Sequence, residues 1–276
     1  MRDSQRQPPQ RGAGGMTTLV STLGGLPRRL RDHLPGTLVV LAFLLLWQWY
    51  AGIAAGGGLL LPTPIEVLAT LAEDWNIIAP ALGVTLGSAA QGLAWGVAVA
   101  FAFALIAVAL PILRRPLTRQ LTIVFCLPLA AIAPLLFLVL DLPGPHIALA
   151  AISVVFPVYI ALVQGLTARH REWEDLRAVL GGGRPMYFLR VQIPSGTREL
   201  LVAARIAIPT AILGTTLAEY FGGARGVGVL MINSLAQLNA PRAYALGVVI
   251  TLVCAASFLA IELITRLLPW TEELTR

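Results

Sequence analysis

Lysine is absent, and each of the 20 basic side chains is an arginine. A phosphate-binding P-loop needs a lysine to reach the terminal phosphates of a nucleotide, so this chain does not hydrolyse ATP through such a loop. Cysteine is nearly absent too: Cys126 and Cys254 both fall in apolar segments, where a small polarizable side chain packs readily, and no disulfide framework or metal site follows. The three histidines, His33, His146 and His170, are scattered over the tail and loops and assemble neither a metal cluster nor a nucleophile-base pair. Charge is scarce overall. Only 12% of residues are charged against about 25% in soluble domains, 57% are hydrophobic, and the mean hydropathy is +0.78. A net charge of +6 raises the question of nucleic acid. The arginines lie between apolar runs and not along one face, which excludes nucleic acid as a partner and leaves the lipid bilayer.

What the chain has is apolar length. Segments at about 36–56, 80–111, 119–140, 145–167, 200–221 and 243–268 are each long enough to cross about 30 Å of hydrocarbon. Lipid offers backbone groups no hydrogen-bond partner, so runs of this kind must be helices. The expected fold is all-α: a polytopic membrane protein with about six transmembrane helices. Residues 36–268 would form one membrane domain. Residues 1–35, rich in Pro, Gly and Gln, read as a disordered cytoplasmic tail, and 269–276 as a cytoplasmic C-terminal tail. The first apolar run has spanning length, so it reads as a retained helix and not as a cleaved signal peptide.

Arginine placement orients the spans, because positive charge beside a span resists translocation. The N-terminal tail carries Arg2, Arg6, Arg11, Arg28, Arg29 and Arg31; the loop after span two Arg114, Arg115 and Arg119; the loop after span four Arg169, Arg171, Arg177, Arg184, Arg190 and Arg198. The opposite side has only Arg225 and Arg242. Both termini are therefore expected in the cytoplasm.

Several local features add detail. Thr63-Pro64-Ile65-Glu66 predicts a helix start with a capping box. In the short helix that follows, Ile65, Leu68, Leu71, Ala72 and Trp75 share a face, which suits either the bilayer interface or packing on neighbouring helices. Gly83-xxx-Gly87 and Gly92-xxx-Gly96 mark a closely packed span. Pro128 and Pro134 predict a bend in span three, lining a pathway or purely structural. Glu262 and Arg266, four residues apart, suit a helix-surface ion pair. Glu219 and Arg205, at opposite ends of span five, either line a pathway or extend to the interface.

The basic loop at 168–199 is more than a topological signal. Acidic Glu172, Glu174 and Asp175 favour a helix start, Trp173, Leu176, Val179 and Leu180 share an apolar face, and Gly181-Gly182-Gly183 ends the helix in a turn. A second helix with Met186, Leu189, Arg190 and Ile193 at helical spacing is expected to end at Pro194. Such an element can dock in a groove of another protein or lie on the bilayer.

The run Asp175-x5-Gly181-x9-Val191-x-Ile193-Pro194 resembles the coupling loop of membrane subunits in ATP-binding-cassette importers, Glu-Ala-Ala-x3-Gly-x9-Ile-x-Leu-Pro. Asp175 stands for Glu, Leu176 and Arg177 for the two Ala, Val191 for Ile, and Ile193 for Leu. Leu61-Pro62-Thr63-Pro64, Pro128 and Pro134, Ala218-Glu219, and Gly226-Val227-Gly228-Val229-Leu230 are similar to the nitrate, sulfonate and taurine permease group over roughly residues 36–268. The resemblance implies a type I importer permease fold and a non-catalytic subunit that works with two cytoplasmic ATPase subunits, an external solute-binding protein and a second copy of itself or a related permease. ATP and Mg would be bound by the ATPase and no cofactor by this chain. Asp175, Leu176, Arg177, Ala178, Gly181, Val191, Ile193 and Pro194 would form the docking surface, with Glu219, Pro128 and Pro134 as pathway residues. The implied solute is an aliphatic sulfonate, taurine or a nitrate-like anion, or alternatively a pyrimidine vitamin precursor. An ion-coupled secondary transporter and a membrane scaffold without solute flux are the competing classes.

Overall fold

The computed structural model describes residues 28–54, 61–167 and 193–267. Asp175, Leu176, Arg177, Ala178, Gly181 and Val191, most of the N-terminal tail and the C-terminal tail lie outside the described residues. All regular structure among the described residues is α-helical.

The chain divides into two units, residues 1–59 and 60–276. In the first, α1 (Arg28–Ala54) begins seven residues before the expected end of the tail, at 35. Leu38, Val39, Phe43, Leu45 and Trp49 are all exposed, as befits a helix that is apolar all round and solvated by lipid.

The second unit contains α2 (Pro64–Glu73), α3 (Trp75–Ala109), α4 (Pro111–Cys126), α5 (Leu129–Val139), α6 (Gly144–Thr167), α7 (Ile193–Phe221), α8 (Val227–Ala236) and α9 (Ala240–Leu267). The capping box forms as expected. The Glu66 amide donates to Thr63 Oγ1 at 3.2 Å and the Thr63 amide to Glu66 Oε2 at 2.9 Å. One correction concerns Trp75, which opens α3 because α2 stops at Glu73. Helix α2 buries Val67 and packs Leu71 into the core, leaving Ile65 and Leu68 exposed, so it does rest on its neighbours along one face.

Five helices, α1, α3, α6, α7 and α9, are long and apolar enough to span a membrane. The expected third span is broken: α4 and α5 meet at an angle of 93° across Leu127-Pro128, and counting the pair as one span makes six. The bend lies where proline forces extended backbone on the residue before it, Leu127, at ψ 134°. Pro134, by contrast, is accommodated inside α5. Two further boundaries differ from expectation. Helix α3 starts at Trp75, which places Pro80 inside it, and Pro194 lies within α7, while the loop helix expected before it falls outside the described residues.

The core is built from small residues. Ala100, Ala104 and Ala107 of α3 and Ala207 and Ala211 of α7 flank Ala150, Val154, Val158, Tyr159, Leu162 and Leu166 of α6. Lipid chains are as apolar as leucine, so helix association here depends on close van der Waals contact and not on removal of surface from water. Alanine and glycine permit that contact. A second cluster joins Ile78, Ala81 and Ala89 of α3 to Ile212 of α7, Val227 of α8, and Leu246, Val249 and Ile250 of α9.

Candidate functional site

The connection that the sequence marks as functional leaves from α6 and returns to α7. A Cβ on Gly165 would lie 2.7 Å from Gly196 Cα and from the Ser195 carbonyl, so the two helices meet backbone to backbone beside that connection. Deeper in the bundle, Ser153 Oγ of α6 lies 2.7 Å from the Ala150 carbonyl and 3.0 Å from the Thr210 carbonyl of α7. The α6–α7 hairpin is thus joined at its base and in its middle. Of the eight proposed docking residues, Ile193 and Pro194 are described, and they form the first turn of α7.

Along the same half of α7, Arg205 is engaged in helix packing. Its Nη1 donates to Glu262 Oε2 at 3.0 Å and its Nη2 to Thr265 Oγ1, tying α7 to α9. The expected Glu262–Arg266 pair is present at 2.6 Å. Glu262 therefore bridges two arginines.

At the other end of α7, Glu219 is 1% exposed. Its Oε2 accepts from Thr85 Oγ1 of α3 and from the Gly228 amide of α8, both at 2.9 Å, and Thr85 Oγ1 accepts from the Val227 amide at 2.9 Å. Burying a carboxylate without donors is costly, and these donors offset that cost on one oxygen. The other oxygen, Oε1, is buried with no partner. Gly226, at φ 132°, crosses directly above: a Cβ there would overlap the Glu219 carboxyl group. Glycine is required at this position by conformation and by space alike.

The turn between Glu219 and α8 is pinned from α6. His146 Nε2–H donates to the Gly222 carbonyl at 2.8 Å, and the imidazole meets Phe137 of α5 edge to face. His146 is buried in the first turn of α6, contrary to its expected place in a loop. Asp74, just before α3, receives Arg242 of α9 in a bidentate pair, Nε at 2.6 Å and Nη2 at 3.1 Å. Beside these contacts lies a cavity of about 300 Å³, walled by Ile77, Pro80 and Val84 of α3 and by Arg225, Val229 and Asn233 on the α8 side.

Sequence reasoning named Glu219 through the Ala218-Glu219 and Gly-x-Gly pattern but missed Thr85, His146 and the Asp74–Arg242 pair. A threonine in an apolar span gives no signal of its own. Pro128 sits at the α4–α5 break, and the element that reaches the Glu219 end is Phe137, near the end of α5, packed on Gly222. Among the described residues, no group of three or more His, Cys, Asp or Glu could hold a metal ion.

Comparison with known proteins agrees with this architecture. The chain is similar to the formylaminopyrimidine transport permease protein ThiX of Halalkalibacterium halodurans, 26% identical over 249 residues, covering 89% of this chain and 99% of the relative. It is similar to SsuC of Bacillus subtilis, named as an aliphatic sulfonates transport permease protein, at 25% identity over 75% of this chain and 76% of the relative. It is also similar to the bicarbonate transport system permease protein CmpB of Synechocystis, at 25% over 76% of this chain and 79% of the relative. Residues 92–269, which include the connection from α6 to α7 and the Glu219 network's α7 and α8 partners, match the profile of the binding-protein-dependent transport system inner membrane component. The chain belongs to that family, and is a multi-pass membrane permease of an ATP-binding-cassette importer.

Proposed function

We propose that two copies of this chain enclose the pathway of an importer whose solute arrives on an external binding protein, and that residues 168–199 dock a pair of cytoplasmic ATPase subunits. The observation that carries the reading is the backbone contact of Gly165 with Gly196, since it anchors both ends of the 168–192 connection to one rigid hairpin. Closure of the ATPases on ATP would draw two such connections together, and each hairpin would carry that displacement to the pathway end of its own bundle. Arginine bias along the sequence puts the connection and both termini in the cytoplasm. ATP and Mg belong to the ATPase partners.

For the solute we propose a small aliphatic sulfonate, taurine or nitrate-like anion. A pyrimidine vitamin precursor is the second reading, favoured by the alignment with the formylaminopyrimidine permease over 99% of its length. The test is uptake into vesicles carrying the chain, its ATPase and its binding protein. ATP-driven uptake that survives an uncoupler is expected. Uptake that continues without ATP and collapses with the uncoupler would establish a secondary carrier instead. The ATPase should copurify with the chain, and Gly181→Pro should abolish that association while leaving the chain in the membrane. Binding of taurine and of formylaminopyrimidine to the isolated binding protein separates the two solute readings.

A further inference from the structure

Helix α8 has ten residues, too few to cross a membrane, so its place is set by lateral anchors and not by bilayer thickness. Its first amides need acceptors, and Gly226 in front of it has no side chain to provide one. Two other helices supply them. The Val227 amide donates to Thr85 Oγ1 of α3 and the Gly228 amide to Glu219 Oε2 of α7, while the Thr85 hydroxyl donates to the same carboxylate oxygen. Thr85 is fully buried and Glu219 nearly so. A carboxylate beside the first amides of α8 also meets the positive end of the helix dipole. Gly226 passes over this carboxylate and seals it from the cavity that Gly226 helps to line. The cavity has α3 as one wall and α8 with its preceding turn as the other.

We propose that Glu219 is a positioning residue of the transport pathway: with Thr85 it fixes the start of α8 against α3 and so sets the width of the α3–α8 cavity, a station of the transported solute. The solute itself does not touch the Glu219 carboxylate, which lies beneath Gly226. This rests on the permease reading above. It differs from a solute-binding role for Glu219 in one consequence. Removing the Thr85 hydroxyl, which meets no solute, must reproduce what removing the Glu219 charge does.

The test uses the complete transporter in vesicles. Glu219→Gln and Thr85→Val should each raise the KM for uptake between about fivefold and a hundredfold, the range expected when a buried hydrogen-bond partner is lost. The double variant should be no worse than the weaker-binding single variant, because both remove one network. Thr85→Ser, which keeps the hydroxyl, should restore the parental KM. Multiplying effects in the double variant, or a loss of kcat at constant KM, would overturn the proposal. A second measurement is independent of transport. Spin labels at Ile77→Cys and Asn233→Cys, on opposite walls of the cavity, are introduced into a chain with Cys126 and Cys254 replaced by alanine. They should report one narrow separation with Glu219 and Thr85 intact and a broadened one in either variant. An unchanged distribution would refute the positioning role. If the parental complex shows no ATP-driven uptake, the permease reading fails, and the label separation still decides whether Glu219 seats α8.

Discussion

Four glycines in α3 look alike in the sequence, two successive Gly-xxx-Gly pairs, and the structure divides them. A Cβ added at Gly92 would overlap Ala150 Cβ and lie 2.8 Å from the Ile147 carbonyl and 3.2 Å from the Ala151 amide nitrogen. One added at Gly96 would lie 2.9 Å from the Ala151 carbonyl and from Val154 Cβ. At Gly83 and Gly87 it would meet nothing within 4 Å. Alanine at any of the four gains roughly 0.5–1 kcal/mol from the smaller entropy lost in forming the helix. At Gly92 and Gly96 the obstructing atoms include α6 backbone, which cannot rotate away, and overpacking of this kind costs about 1–3 kcal/mol. Gly83→Ala and Gly87→Ala are therefore neutral or stabilising, while Gly92→Ala and Gly96→Ala are destabilising. The two classes should differ by about 2 kcal/mol, close to thirtyfold in the folded-to-unfolded ratio. Reversible unfolding in mixed micelles by dodecyl sulfate titration, followed by circular dichroism, measures this directly. Four equal effects would refute the packing argument, as would a stabilised Gly92→Ala.

Two further outcomes follow from contacts at the same end of the bundle as Glu219. Arg242→Lys keeps the charge but loses the two-pronged contact with Asp74; it and Asp74→Asn should each lower stability by up to about 1 kcal/mol, less so in high salt, as thermal unfolding at two ionic strengths would show. His146→Phe fills the ring's space but leaves the Gly222 carbonyl without its donor, a loss of about 1–3 kcal/mol in the same titration, whereas His146→Gln, which restores a donor, should recover part of it.

Features set by neighbouring residues were legible in the sequence. Span positions follow from apolar length, the capping box at Thr63 from a four-residue pattern, and Glu262–Arg266 from one helical turn. Pro128 announced a bend, though not one of 93°, because proline fixes the local backbone while the angle depends on what each half packs against. His146 was misplaced because Pro143-Gly144-Pro145 reads as a loop; proline in a first helical turn is equally at home, and α6 starts there. Trp75 was given to α2 because its spacing continues that helix's face across the Asp74 junction. The remaining features depend on long separations. Arg205 meets Glu262 across 57 residues and Thr85 meets Glu219 across 134, and no periodicity carries information over such distances. Glu219 stood out as a charge at the end of a span, and the family pattern was what favoured it as a pathway residue.

The small-residue face of α3 has a consequence for how such permeases diverge. Ala81, Thr85, Ser88, Ala89, Gly92, Gly96, Ala100, Ala104 and Ala107 are its buried positions, together with Ile78. Exposed side chains of α3, such as Trp95, Phe101 and Ile106, need only remain apolar where they meet lipid, so substitutions there should be nearly neutral. The buried side has almost no room for a larger residue. The relatives stand at 25–26% identity, and on the buried side of α3 packing leaves little choice beyond glycine, alanine, serine and threonine. In this fold, the tightest constraint on sequence falls on the residues with the least side chain.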